Sequence, residues 1–312
     1  MNLQQLEYIV AVDQYRHFAK AAEHCYVTQP TLSMMIKKLE EELDVIIFDR
    51  DQHPIAPTPE GLEVLRRARL ILAESNALKD YTKGLKGELS GELRLAVIPT
   101  LAPYLLPLFI RSFTRKYPLL KLYIYEMVTD EIITKLRSGE LDMGLLATPL
   151  GEQQLSEHVL FHESFFAYAS QSEKLPAKKY LLPKEIDPDH LWLLEEGHCL
   201  RNQVFNLCEL RKQSPEHNNL QYEAGSIETL INLVDKYNGV TIIPELALTN
   251  LNAAQKKKVR EFSEPKPVRE VSLVTTKTFP RKMILEKMKE EILSALPFDL
   301  HKGKRKVIGI GS

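Results

Sequence analysis

Near Gly91 the spacing of apolar residues changes, and the change divides the chain. Before it the apolar stripes are helical: Leu3, Leu6, Ile9, Val10 and Val12, then Leu32, Met35, Ile36, Leu39 and Leu43. After it short β-runs alternate with helices. Residues 93–98, 122–126 and 142–147 read as strands, and 103–116 and 130–138 as helices. Further strands fall near 164–169, 191–194, 240–243 and 270–276, before a last helix over about 280–295. Alternation of this kind predicts an α/β domain with a largely parallel sheet. An all-α segment therefore precedes an α/β domain, and 312 residues are more than one core usually organises.

The all-α segment has a tight internal plan. Phe18 to Cys25 is a short Ala-rich helix, and Thr28 then caps a helix that opens on Gln29-Pro30-Thr31. Helix, turn and helix over this length form a DNA-reading unit. Residues 46–57 follow as a hairpin, or wing. From Pro59 to Gly87 one long helical pattern repeats Val64, Ile71, Leu78 and Leu85 every seven residues, a narrow seam suited to pairing two copies.

Composition narrows the class. The chain carries 41 Lys+Arg against 42 Asp+Glu, a formal charge of −1, so bulk basicity does not announce a nucleic-acid binder. Three cysteines exclude a disulfide-rich secreted scaffold. The longest uncharged apolar stretch, between Arg94 and Arg111, is 16 residues with three prolines, too short and broken for a membrane span. A cytoplasmic protein with no membrane partner is expected. Residues 301–306, His-Lys-Gly-Lys-Arg-Lys, read as the start of a solvated, disordered basic tail over 301–312.

The run from Ala19 to Arg50 closely resembles the winged helix-turn-helix of LysR-type transcriptional regulators. Phe18-Ala-Lys-Ala-Ala22, Val27-Thr-Gln-Pro-Thr-Leu-Ser33, Ile36-Lys-Lys-Leu-Glu40 and Leu43-Asp-Val-Ile-Ile-Phe-Asp-Arg50 carry the likeness. The resemblance extends over the whole chain. It implies a DNA-binding domain at 1–58, a dimerising linker helix at 59–90 and a regulatory domain at 91–300. That domain is two-lobed and periplasmic-binding-protein-like, with lobe I at 91–163 and 269–300, lobe II at 164–268, and two crossing strands as hinges. It also implies double-stranded promoter DNA, a homodimer assembling into a homotetramer, and RNA polymerase as partners, with no enzymatic turnover. The DNA role passes by similarity to Gln29, Pro30, Thr31, Ser33, Lys37 and Arg50, while Met34 stands where many relatives place an arginine or another residue compatible with the groove. Residues 1–58 hold 5 basic against 9 acidic side chains, so the few cations must share one face and affinity should fall steeply with salt.

Cys25 reads as a small buried packing residue. Cys199 and Cys208, nine apart, match neither a zinc site nor a Cys-x-x-Cys motif. Cys199 follows Gly197-His198 and precedes Arg201 in what reads as the first turn of a helix, where helix N-terminus and guanidinium favour thiolate; Glu195 and Glu196 oppose them. Gly-His-Cys-Leu-Arg with a second cysteine nine residues on resembles the hydrogen-peroxide-sensing branch of the family. The resemblance implies that peroxide oxidises Cys199, that Cys208 closes a reversible disulfide, and that control of oxidative-stress genes, activation included, switches. No cofactor or metal is implied; peroxide is the signal. Thr100, Thr129, His198 and Arg201 would line the peroxide pocket, although each threonine suits a helix N-cap equally. His217 is a further candidate. Two other readings remain: a regulator whose interlobe cleft binds a small-molecule effector, and a thiol peroxidase joined to a DNA-binding head.

Overall fold

The computed structural model describes residues 1–84, 89–170, 173, 180–208, 224–297 and 305–309. Its contacts divide into two compact units, Met1–Gly91 with Arg137–Glu140, and Glu92–Leu136 with Leu141–Ser312.

In the first unit, α1 (Leu3–Tyr15) starts on a capping box between Asn2 and Gln5 and ends where Arg16 turns left-handed at φ 52°. His17 caps α2 (Phe18–His24), and Thr28 caps α3 (Gln29–Leu43) with Pro30 in its first turn. Leu6, Ile9, Val12, Ala21, Leu32, Ile36, Leu39 and Ile47 close into one core beneath these helices. Strands β1 (Phe48–Asp49) and β2 (Ala56–Pro57) pair antiparallel as the wing. Glu40 anchors it, accepting from the backbone N–H of Ile47 at 2.8 Å and of Phe48 at 3.3 Å.

Helix α4 (Pro59–Gly84) packs on this core through Leu65 and Ala68, and Arg69 pairs with the buried Asp13 of α1. Ile71 and Leu78 of the heptad seam stay exposed, whereas Val64 is partly buried against the core; Leu85 lies outside the described residues. Gly61 has a strict steric role, because a Cβ there would collide with the carbonyl oxygen of Ile47. Gly61→Ala is therefore expected to destabilise this unit by about 1–3 kcal/mol, since the obstacle is backbone. Thermal denaturation followed on the first unit's signals checks this, and an unchanged midpoint would overturn it.

The second unit is built on a mixed sheet. Strands β3 (Gly91–Val97), β4 (Leu120–Glu126) and β5 (Met143–Thr148) alternate with α5 (Ala102–Lys116) and α6 (Thr129–Ser138). The long β6 (Leu155–Ala169) leads to β7 (Tyr180–Leu181), α7 (Cys199–Leu207), α8 (Ile227–Tyr237) and β8 (Val240–Pro244). Then come α9 (Ala253–Lys256), β9 (Val259–Phe262), β10 (Lys266–Thr276), α10 (Lys282–Ala295) and β11 (Arg305–Val307). Strand order is β4-β3-β5-β10-β6-β9-β7, with β8 on β6 and β11 on β10.

Strands β6 and β10 run antiparallel to each other over most of their length and join a lobe built on β3, β4 and β5 to one built on β7, β8 and β9. This corrects the largely parallel sheet: β3 and β5 are parallel, but β10 is antiparallel to both β5 and β6 because the chain crosses between lobes and returns. The strand expected at 191–194 is reduced to two isolated bridges, Leu191 to Val240 and Leu194 to Ala224. The disordered basic tail is corrected for residues 305–309, while 301–304 and 310–312 lie outside the described residues. Arg305–Val307 pairs in parallel with Lys266–Val268, and Ile308 is buried, because the apolar residues after the basic run find an open strand edge.

Candidate functional site

Two separate features of the structure carry chemistry. The first is the outer face of α3. Gln29, Pro30, Thr31, Lys37 and Lys38 are exposed, Ser33 is half-buried, and Met34 joins them at 62% exposure instead of entering the core. The Thr28 and Thr31 hydroxyls lie 2.8 Å apart, fixing the first turn, whose backbone N–H groups point toward any phosphate set before it. Lys37 is only loosely engaged by Glu41 at 3.8 Å. Arg50 is held in place: its guanidinium donates to Glu40 at 2.8 Å and lies 5.4 Å over the Phe18 ring. Thus one carboxylate orders both the wing backbone and the wing arginine.

The second feature is a buried thiol. Gly197, at φ 91°, makes the left-handed turn that starts α7, and Cys199 is the first helical residue behind His198. The Cys199 side chain is 3% exposed. Burial pushes its thiol up, while Arg269, the Thr129 hydroxyl and the backbone N–H groups of Leu200 and Ala147 pull it down. The net direction is upward, which corrects the expectation of a thiol lowered by its helix N-terminus. The cation is also different. Arg201 donates to the Leu194 carbonyl at 2.6 Å and stacks on Phe205, leaving Arg269 as the guanidinium that acts on the sulfur.

Arg269 is wholly buried and uses all three of its nitrogens. It donates from Nε to Glu163 at 2.7 Å, from Nη1 to the Thr100 hydroxyl at 3.0 Å, and from Nη2 to the Thr100 carbonyl at 3.1 Å. Glu163 stands directly opposite it across β6 and β10 and also accepts the Leu246 N–H at 2.6 Å. Thr100 therefore positions the cation, and its helix-cap alternative falls away because Leu101 holds the cap position of α5. The Thr129 hydroxyl is buried beside the sulfur with no oxygen or nitrogen partner of its own. His198 is buried, with Nε2 3.5 Å from Glu195.

Cys208 caps the far end of α7, where burial pushes its thiol up to about 12. Both thiols are free. Nine residues of α-helix separate them by roughly 13–14 Å. Cys25, at the end of α2, is half-buried instead of fully enclosed. His217 lies outside the described residues. Among the described residues no His, Cys, Asp and Glu cluster could hold a metal, and no helix is long and apolar enough to cross a membrane.

Residues 3–62 match the bacterial regulatory helix-turn-helix protein family, lysR family, and residues 86–297 match the LysR substrate binding domain. The chain belongs to the LysR family. Among relatives of this LysR protein, the hydrogen peroxide-inducible genes activator of Haemophilus influenzae is 34% identical over 88% of this chain and 90% of its own. The DNA-binding transcriptional dual regulator OxyR of Escherichia coli K12 is 33% identical over 94% and 95%. A full-length OxyR variant from Pseudomonas aeruginosa superposes with a TM-score of 0.81 at 34% identity, covering 95% of this chain and 99% of that one. The LysR head and the two-lobed regulatory domain are thus both present in one chain, as in these relatives.

Proposed function

We propose that this LysR regulator is a cytoplasmic hydrogen-peroxide sensor that switches transcription through a Cys199–Cys208 disulfide. The observation that carries the reading is the surrounding of Cys199. A buried sulfur faces a fixed buried guanidinium and the Thr129 hydroxyl, which has no oxygen or nitrogen partner, while a second cysteine waits at the other end of the same helix. A small polar oxidant with hydrogen-bonding hydrogens and oxygens suits that setting, and the names of the relatives point the same way.

The chemistry follows from the residues. The Cys199 thiolate attacks one peroxide oxygen and the O–O bond breaks, giving a sulfenic acid; the other oxygen takes a proton and leaves as water. Thr129 and His198 orient the oxidant, and Arg269 stabilises the negative sulfur and the departing oxygen. Cys208 then attacks the sulfenic sulfur, a second water leaves, and the disulfide is complete. A disulfide needs Cα atoms within about 7 Å, so α7 must unwind before the bond can close. That unwinding turns a two-electron oxidation into a change of shape.

The same reading assigns residues 1–58 to promoter DNA through Gln29, Pro30, Thr31, Ser33, Lys37 and Arg50, and 59–90 to a homodimer. A homotetramer and contact with RNA polymerase would complete the assembly. Peptide mapping of the full-length protein under non-reducing conditions tests the sensor. One equivalent of peroxide is expected to link Cys199 to Cys208, and in Cys208→Ser to leave sulfenic acid on Cys199. If both thiols remain reduced, the cleft answers to some other effector and the reading fails.

A further inference from the structure

The C-terminal segment is tied to the helix that carries the switch. Ile308 donates its N–H to the Val268 carbonyl at 2.8 Å and buries its side chain, continuing the register that pairs Arg305–Val307 with Lys266–Val268. From the other side two α7 residues reach the same segment. Gln203 Nε2 donates to the Ile308 carbonyl at 3.0 Å, and Asn206 Nδ2 to the Gly309 carbonyl at 3.0 Å. Gln203 and Asn206 are three apart, so they share a face of α7 only while it is helical. Both lie between Cys199 and Cys208. Gln203 is fully buried, and its amide N–H is spent on this carbonyl while its Oε1 has no partner.

We propose that residues Arg305–Gly309 form a redox-gated latch, docked on β10 by Gln203 and Asn206 while α7 is helical and released when the Cys199–Cys208 bond unwinds it. This deepens the sensor reading and rests on it for the trigger. The trigger balances as above: two thiols become one disulfide, and hydrogen peroxide takes the two electrons and two protons and leaves as two waters. The three-residue ladder, the Ile308 N–H bond to Val268 and one buried side chain, Ile308, hold only weakly without α7, so loss of both side-chain bonds is enough to free the segment. Docking contacts Val268, the neighbour of Arg269, so the latch also steadies the strand that carries the cation of the thiol site. Linkage makes the effect mutual: a docked segment favours the reduced pair by the same factor by which reduction favours docking. Gln203 and Asn206 are thus positioning residues that set how readily the switch closes.

Limited trypsin digestion of the full-length protein, read by mass spectrometry, tests the latch, since Lys302, Lys304, Arg305 and Lys306 supply cleavage points. Non-reducing peptide maps of the same samples report whether the pair has closed. Peroxide-treated protein is expected to lose its C-terminus about 10-fold faster than reduced protein. Reduced Gln203→Leu, and reduced Asn206→Ala at an exposed position, are each expected to lose it about 5-fold faster than the reduced parent. In a glutathione buffer both variants should carry a disulfide fraction shifted the same way by a similar factor. Closed disulfide with unchanged tail cleavage overturns the latch and leaves the sensor intact. Thiols that stay reduced overturn the sensor, and the two variants then decide the latch alone: parental cleavage rates in both reject it.

Discussion

Arg269→Met is expected to lower the stability of the regulatory unit by about 3–5 kcal/mol and to slow oxidation of Cys199 by about 100-fold. The stability loss comes from Glu163, which is wholly buried, already pushed up by burial, and without its cation must take up a proton and lose the charge-assisted bonds it made. The rate loss comes from the sulfur. Arg269 is the largest influence drawing the Cys199 thiol toward its ionised form, and each pKa unit lost removes tenfold of the reactive thiolate. The two effects separate in the double replacement Arg269→Met with Glu163→Gln. A glutamine keeps an oxygen for the Leu246 N–H, now without a buried charge, so stability should largely return while oxidation stays slow. Urea unfolding and stopped-flow oxidation of the same preparations measure both. If the double variant regains its rate together with its fold, Arg269 serves only structure. Arg269→Lys should fall between, because an ammonium cannot span Glu163 and both oxygens of Thr100.

That ion pair also marks where the sequence stops being readable. Cys199, Cys208, His198, Thr100 and Thr129 stand in local patterns, a strand end before a helix or a motif of five residues, and local patterns survive in one dimension. Glu163 and Arg269 are 106 positions apart and meet only because β6 and β10 cross-pair. A signal existed: each is a charge set among the apolar residues of a strand, Phe161 and Phe165 on one side, Val268 and Val271 on the other. Without the register nothing joined them, so Arg201, adjacent in sequence, took the role that Arg269 fills. Helix α8 went unread, although Ser226 as cap and Ile227, Leu230, Ile231 and Val234 at helical spacing offered the signal, because it follows a polar stretch with no periodicity. The C-terminus misled for the opposite reason. Its basic residues dominate the composition, but the position of Ile308 depends on a vacant strand edge that only the folded sheet supplies.

Oxidation of Cys199 in the Cys208→Ser protein should accelerate about tenfold per pH unit between about pH 6 and 8, some 100-fold in all. The reason is that the folded thiol lies above its ordinary value of 9.0, so at neutral pH the thiolate is a minor species whose share rises with each unit. The charged groups around it are Arg269 and Glu163 from the crossing strands and His198 with Glu195 from the turn before α7. His198→Asn should keep the slope if the sulfur itself governs it. Stability must then move in the other direction. A thiol whose pKa is raised by folding binds its proton more tightly in the native state, so its contribution is complete below about pH 9 and is lost as pH rises further. For Cys208 the loss extends from 9.0 up to about 12. Denaturation midpoints should therefore fall above pH 9 in the parent and fall less in the Cys199→Ser, Cys208→Ser double variant. A flat rate profile between pH 6 and 8 would mean that Arg269 and Thr129 overcome burial and hold the sulfur ionised at rest. The sloping profile describes a different sensor, one that keeps its thiol protonated and inert until the oxidant itself occupies the place beside Thr129.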